Sequence, residues 1–285
     1  MAEGGGRPGL PPLRDVIRAG ELSARKSLGQ NYLLDLNITG RIARAAGPLD
    51  EICVIEVGPG PGGLTRALLS EGARKVVAIE RDERFRPALE QIQAHYPDRL
   101  AVIFNDALEV DYAAVAHTHN AKRIVANLPY NIATPLLTMW LTASAWPPWF
   151  DRLCLMFQRE VAERLTATPG NKAYGRLSVL AQARCSARIV FHLPARVFTP
   201  PPKVDSSLVE IRPLTDGVPE TAVSALERVS AAAFGQRRKM LRSSLRQISP
   251  DVIELLRCAG LDETARAEDL SVAEFWRLAA CLAKR

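Results

Sequence analysis

Residues 53–63 read CVIEVGPGPGG. A short, mostly apolar run enters six positions occupied only by glycine and proline. This is the pattern of a buried strand that delivers a loop and then opens a helix. Glycine lets the backbone approach a ligand with no Cβ in the way. The helical stretch that follows, LTRALLSEGA, offers unpaired N–H groups to a negative atom at its start. The pattern repeats outward. KVVAIE (75–80), LAVIF (100–104) and KRIVAN (122–127) are further short apolar runs, with amphipathic stretches such as RFRPALEQIQAHY between them. Strands alternating with helices imply an α/β fold whose mostly parallel sheet is covered on both faces. RLCLMF (152–157) and IVFHL (189–193) continue the series, and the alternating SSLVEIR (206–212) reads as an edge strand.

The flanks differ. Residues 1–13 are rich in Gly and Pro; short helices are expected at Leu13–Ala24 and at Asn37–Ala46, the latter stopped by Gly47-Pro48. After Pro213 the strand pattern ends. ETAVSALERVSAAAF, QRRKMLRSSLRQI, SPDVIELLRCAG and SVAEFWRLAACLAK read as helices. The expected organisation is a flexible extension (1–23), an α/β domain (24–214) and a small all-helical domain (215–285).

With 285 residues, 47% of them hydrophobic and 24% charged, the chain has enough apolar material for a sizeable core. Disordered, collagen-like and disulfide-miniprotein classes are excluded. No run of eighteen uncharged apolar residues exists, so no membrane span is expected. MAEGGGRPGLPPLRD has no apolar signal region, which points to a cytoplasmic protein. Cys53, Cys154, Cys185, Cys258 and Cys281 are odd in number, widely spaced and without a CxxC pair, so free thiols are expected. His117-Thr-His119 is read as part of a surface loop, and no metal site is expected. The net charge of +6 suits a polyanionic partner without demanding one.

Gly58, Gly60 and Gly63 formally satisfy GxGxxG. The loop alone does not decide between a dinucleotide and S-adenosylmethionine, because both place a ribose near an acid at the end of the next strand. Glu80 occupies that place. Asp106 follows the third strand, where it either accepts from an adenine amine or caps the segment that follows. Asn127-Leu128-Pro129-Tyr130 ends the fourth strand, where an open α/β sheet places its ligands. An adenine amine is a poor nucleophile because its lone pair is conjugated into the ring. An amide oxygen from Asn127 and a backbone carbonyl at Leu128 or Pro129 would each accept one amine hydrogen and free that lone pair. Pro129 would stiffen the loop, and the Tyr130 ring would stack on an extruded base.

Gln30-Asn31-Tyr32-Leu33, VIEVGPGPGGLT, NLPYNIATPLL, KAYGRLSV (172–179) and FTPPPKVDSSLV (198–209) occur in this order. Together they resemble the KsgA (RsmA) family of small-subunit ribosomal RNA adenine dimethyltransferases. The resemblance runs from about Ala24 to Arg212, and the helical tail also fits. It implies a class I methyltransferase fold, Rossmann-like with a mostly parallel seven-stranded sheet, and S-adenosylmethionine as donor with no metal. It implies methylation of two adjacent adenosines in the 3′-terminal hairpin of 16S rRNA, within the immature small subunit. The positions it implies for the cofactor are Asn31, Leu33, Gly58, Gly60, Glu80, Asp106 and Asn127. For the target base they are Asn127, Pro129 and Tyr130, with Phe198 as a second stacking ring. Tyr32 stands where the family usually has Phe, and Arg159 where Lys is frequent.

Arg238, Arg242 and Arg246 fall at i,i+4 spacing and read as one phosphate-binding helix face, the alternative being a solvated face. Arg176, with Lys172 and Tyr174, resembles a family loop near the cleft, so RNA contact is expected there. Lys203 is read likewise, and Arg25 either touches RNA or belongs to a flexible arm. Nothing in the sequence demands more than a monomer. A DNA adenine methyltransferase, a non-catalytic ribosome-assembly checkpoint and a nicotinamide oxidoreductase are the rival functions. No sequence-reading module favours the first, the intact motifs argue against the second, and Asn-Leu-Pro-Tyr has no purpose in the third.

Overall fold

The computed structural model describes residues 9–25, 28–143, 145–215 and 220–284. The chain opens with helix α1 (Leu13–Ala19), the two-residue strand β1 (Tyr32–Leu33) and helix α2 (Leu36–Ala45). Then come β2 (Cys53–Val57), α3 (Gly63–Ser70), β3 (Lys75–Glu80), α4 (Arg86–His95), β4 (Leu100–Phe104), α5 (Tyr112–His119) and β5 (Ala121–Ala126). Helix α6 (Tyr130–Leu141) leads to β6 (Arg152–Gln158), α7 (Arg159–Thr166), α8 (Arg176–Gln182), β7 (Cys185–Leu193), β8 (Phe198–Thr199) and β9 (Ser206–Pro213). Helices α9 (Glu220–Gly235), α10 (Leu241–Ser244), α11 (Val252–Cys258) and α12 (Val272–Ala283) complete the chain.

Seven strands form one sheet in the order β4-β3-β2-β5-β6-β9-β7. The five from β4 to β6 pair in parallel, with Val54 opposite Val76, Val76 opposite Leu100, and Val125 opposite Cys154. Every residue of β2 is buried, which is why this strand reads as an apolar run rather than as an alternation. Side chains cap the helices between: Asp35 accepts from Asn37 N, and Asp111 from Ala114 N. Helix α3 has no such cap; Gly62 precedes it in the left-handed region.

The edge expected at residues 206–212 is not there. Strand β9 lies between β6 and β7, with its first six residues buried. Its polar residues mislead because they are satisfied inside the protein. Ser207 Oγ bonds His192 Nδ1 at 2.8 Å, and Glu210 pairs with Arg152 at 3.4 Å. The edge strands are β4 and β7. His117 and His119, expected in a loop, occupy the last turn of α5.

The chain divides into two units. The first comprises residues 1–136, 149–158 and 190–210. Its core includes Leu68, Val76, Phe85 and Ile92, all without solvent contact. Burying each such side chain stabilises by about 1.5–3 kcal/mol. Within the extension expected to be flexible (1–23), α1 forms, and Leu13, Val16 and Leu22 are buried. Residues 1–8 lie outside the described residues.

The second unit comprises residues 137–148, 159–189 and 211–285. The division is therefore not a single cut near 214: two earlier stretches belong to the same unit as the C-terminal helices. The rings of Phe234 and Phe275 stack at 5.5 Å, and Tyr174 meets Phe234 edge-on at 5.9 Å. The single helix expected over QRRKMLRSSLRQI is broken. Helix α9 ends at Gly235, and the chain turns through residues 236–240 into the four residues of α10. The cause is long-range: Met240 bridges Arg266, and Leu241 N donates to Ala265 O at 2.8 Å. The cysteine expectation also needs correction. Cys258 and Cys281 form a disulfide between α11 and α12, their Cα atoms 6.1 Å apart, whereas Cys53, Cys154 and Cys185 are buried and in no disulfide among the described residues.

Candidate functional site

The carboxyl end of β2 delivers the glycine loop. Gly58 N donates to Ile79 O and Gly62 N to Pro59 O, both at 2.9 Å, which curls the loop back over the sheet. Gly58, Gly60 and Gly62 have φ of +70°, +54° and +86°. A Cβ on Gly62 would lie 2.2 Å from Ile92 Cδ1, and one on Gly63 would lie 2.7 Å from Leu33 O. The loop is therefore glycine-rich because both conformation and space require it.

Glu80 ends β3 and is 6% exposed. Its Oε2 accepts from Gly60 N at 3.0 Å, and its Oε1 from Arg81 N and Asp82 N at 2.9 and 2.8 Å. Burial pushes its carboxyl above the ordinary range, and the backbone N–H bonds oppose that rise. Asp106 follows β4. Its Oδ1 accepts from Leu108 N at 3.0 Å, the local turn expected of a cap, and its Oδ2 pairs with Arg81 at 2.8 Å.

Asn127 follows β5. Its Nδ2 donates to Asn31 O at 3.0 Å. That bond orients the amide and leaves Oδ1 as its acceptor. Pro129 O is committed to the first turn of α6, accepting from Ile132 N and Ala133 N at 3.1 Å. Among the described residues no backbone N–H donates to Leu128 O. Of the two carbonyls considered from the sequence, the open one is therefore that of Leu128. The phenol of Tyr130 bonds Ser206 Oγ at 2.5 Å.

One cleft in the first unit brings together Asn31, Leu33, Gly58, Gly60, Glu80, Asp106, Asn127, Pro129 and Tyr130. Phe198 is not among its walls. That ring is 2% exposed and belongs to the core, and its residue pairs with Leu33 between β8 and β1. The exposed stacking ring expected there is absent from this conformation, because β8 turns Phe198 inward.

Three further groups at the cleft and beside it carry no motif of their own. Glu56, in the middle of the β2 run, is 1% exposed and lines the cleft. Burial pushes its carboxyl up to about 8, opposed by the Thr65 hydroxyl at 2.6 Å. A carboxylate inside an apolar strand was its signal. Gln30 Nε2 donates to Asp82 Oδ2 at 3.1 Å while its Oε1 accepts from Tyr32 Oη at 2.8 Å. The Arg84 guanidinium holds Asp82 down at about 2. No local pattern announces a contact across fifty-two residues.

Of the basic residues expected to touch RNA, Arg176, Arg238, Arg242, Arg246 and Lys172 are in the second unit, Lys203 and Arg25 in the first, and all are exposed. Arg176 opens α8 and pairs with Glu227 at 4.0 Å. Arg242, in α10, pairs with Glu263 at 3.9 Å; Arg238 lies in the turn before α10, and Arg246 in the 3-10 turn after it. They do not share one helix face, because the helix expected to carry them is interrupted. Tyr174 is fully buried and donates to Leu270 O at 2.9 Å, so it is a core residue and not a contact.

A family profile described as ribosomal RNA adenine dimethylase matches residues 21–284. The chain belongs to that family. Among its relatives is the ribosomal RNA small subunit methyltransferase A of Xanthobacter autotrophicus, 61% identical over 95% of this chain and 93% of that protein. The protein of the same name from Chelativorans sp. is also 61% identical, over 95% of this chain and 98% of that one. The family's fold is evident in solved structures. A dimethyladenosine transferase from Plasmodium falciparum superposes with a TM-score of 0.71 at 24% identity, covering 86% of this chain and 94% of that one. The 23S rRNA methyltransferase ErmE superposes with a TM-score of 0.66 at 25% identity, covering 88% and 99%. The fold is that of a class I methyltransferase with a C-terminal helical region. Among the described residues no helix is long and apolar enough to cross a membrane.

Proposed function

We propose that this chain transfers methyl groups from S-adenosylmethionine to the exocyclic amines of two adjacent adenosines in the 3′-terminal hairpin of 16S rRNA. The substrate in this reading is the immature small ribosomal subunit, met in the cytoplasm by a monomer. The observation that carries it is the presence of two acceptors without a protein donor among the described residues, Asn127 Oδ1 and Leu128 O, on neighbouring residues that line the cleft with the glycine loop.

The lining of the cleft favours S-adenosylmethionine over the dinucleotide. Glu56, Glu80 and Asp106 all line it, and Gly60 N already donates to Glu80. A pyrophosphate would meet Glu80 and Asp106 and find one loop N–H already taken, while Glu56, protonated up to about 8, adds no charge. A sulfonium and an ammonium group face no such conflict. When bound, S-adenosylmethionine supplies an electrophilic methyl group on sulfur. In this reading Glu80 accepts from ribose hydroxyls, Asp106 accepts from the adenine amine, and Asn31 and Leu33 close the cleft over the ligand. The target amine donates one hydrogen to Asn127 Oδ1 and the other to Leu128 O. This draws the nitrogen toward tetrahedral geometry and frees its lone pair. Pro129 fixes the direction of the Leu128 carbonyl, and the Tyr130 ring stacks on the extruded base. No side-chain base is required, because the nitrogen becomes strongly acidic on gaining a fourth bond and releases its proton to water. Arg176, Arg238, Arg242 and Arg246 would meet phosphates as separate exposed cations. In this reading the second unit supplies the RNA contacts and the first unit the catalytic cleft.

The test is methyl transfer from labelled S-adenosylmethionine to small subunits that lack the modification, with naked rRNA and DNA as controls. The modified base is identified by nuclease digestion and mass spectrometry. Dimethyladenosine in the subunits is the expected product. Tight subunit binding without transfer would overturn the catalytic reading.

A further inference from the structure

The stretch FTPPPKVDSSLV begins at a phenylalanine that the structure buries, and near its other end stands a serine bonded to a residue of the cleft wall. Ser206 opens β9, is 0% exposed, and sits in a strand flanked on both sides within the sheet. Its Oγ lies 2.5 Å from Tyr130 Oη. Among the described residues, each is the other's only side-chain hydrogen-bond partner. The neighbouring Ser207, equally buried, is tied to His192 at 2.8 Å, so the backbone at Ser206 is held from the next position as well.

The two ends of this contact differ in freedom. Ser206 is fixed by the sheet ladder and has one short side chain. Tyr130 is at the first residue of α6, directly after the Leu128-Pro129 corner, and its ring lines the cleft. An aromatic ring at such a position turns about two side-chain torsions unless its far end is tethered. The phenol oxygen is that far end. A bond from it to an immobile strand sets the plane of the ring and its distance from Asn127.

We infer that Ser206 is a positioning residue for the methyl-transfer step: it holds the Tyr130 ring in the plane that presents the target adenine to Asn127. This rests on the function proposed above, in which Tyr130 stacks on that base. It assigns to the serine end of the motif the contribution that Phe198 was expected to make. Burial raises the pKa of the Tyr130 phenol and the serine hydrogen bond lowers it, consistent with a tether in a largely desolvated place.

Ser206→Ala and Tyr130→Phe each remove the tether while keeping the ring, and Ser206→Thr keeps a hydroxyl. Steady-state methyl transfer to unmodified subunits is measured for the wild type, these variants and the Ser206→Ala/Tyr130→Phe double variant. Each single variant is expected to lower kcat by about threefold to tenfold, the range a neutral hydrogen bond supports, with KM for S-adenosylmethionine unchanged. The double variant should be no slower than either single one, because both remove the same bond. Ser206→Thr should recover most of the rate. Wild-type kcat in Tyr130→Phe overturns the inference, and this variant leaves the buried strand intact if Ser206→Ala does not fold. Rate reductions that multiply in the double variant overturn it as well. An inactive wild type would sink the functional reading itself, whereas an active wild type with an unaltered Tyr130→Phe would sink the inference alone.

Discussion

Asn127 commits its amide nitrogen to the carbonyl of Asn31, and this fixes which atom of the side chain faces an incoming amine. Asn127→Ala should therefore lower kcat by about 100-fold or more, the effect typical of deleting a preorganised polar group at the reacting atom. Single-turnover transfer to unmodified subunits measures it, and a wild-type rate would remove Asn127 from the reaction. Glu56 gives a prediction of another kind. In the folded protein it keeps its proton up to about 8, against an ordinary value of 4.5. Between those limits the folded state binds the extra proton, so its stability falls as pH rises. Glu56→Gln lacks the titrating group. Its unfolding midpoint in urea should gain on that of the wild type steadily from about pH 5 to pH 8. A constant difference across that range would mean that Glu56 is ionised inside the protein. The sequence showed the acid within CVIEV plainly enough. It did not show that Thr65, nine residues on, takes the role of partner.

At the scale of the element, the glycine loop and the strands either side of it could be read directly, because their signals are local: apolar runs, turn residues and caps. Gly62 illustrates the strength of that local constraint. Gly62→Ala places a side chain at φ +86° and against Ile92, which is fully buried and has no room to swing. Gly170 has a similar φ of +81°, but nothing lies within 4 Å of a Cβ there. Both substitutions carry a left-handed backbone cost of about 1–2 kcal/mol; Gly62→Ala adds about 1–3 kcal/mol of overpacking. Thermal unfolding should rank Gly62→Ala well below Gly170→Ala, and equal midpoints would show that the loop relaxes freely. Where the sequence misled, the deciding contacts were distant. Strand β9 looked like an edge because its serines and glutamate alternate, yet their partners come from α6, β7 and β6. The helix drawn through Met240 fails because Leu241 finds Ala265 and not its own preceding turn.

For the molecule as a whole, two predictions concern the second unit. The Cys258–Cys281 bond closes a separation of 23 residues, so removing it should cost about 3 kcal/mol through the unfolded chain. Cys281→Ser and reductant-treated wild type should unfold at the same, lower temperature. No change with reductant would mean that the bond adds nothing to this unit. The four exposed arginines belong to the same unit. Replacing Arg176, Arg238, Arg242 and Arg246 by glutamine should flatten the dependence of log affinity for the rRNA hairpin on log salt. The slope should fall by about 0.7–0.9 for every phosphate that an arginine neutralises in the wild type. An unchanged slope would leave them as solvated charges. The sequence pattern placed the C-terminal helices but not the division of the chain, since residues 137–148 and 159–189 join the same unit from far upstream. Such pairings carry no local mark.

The strand order has a consequence for synthesis. Strand β9 is the last of the sheet to leave the ribosome, yet its place is inside, between β6 and β7. A nascent chain ending at residue 205 has β6 bare along one side and β7 with no neighbour to join. Final pairing therefore waits on a segment some fifty residues after β6. Until then β6, five of whose seven residues end up buried, offers an unpaired apolar margin of the type that invites wrong partners. Pausing translation before Ser206 should expose that margin to protease and to chaperone capture, and extending the chain past Pro213 should close it.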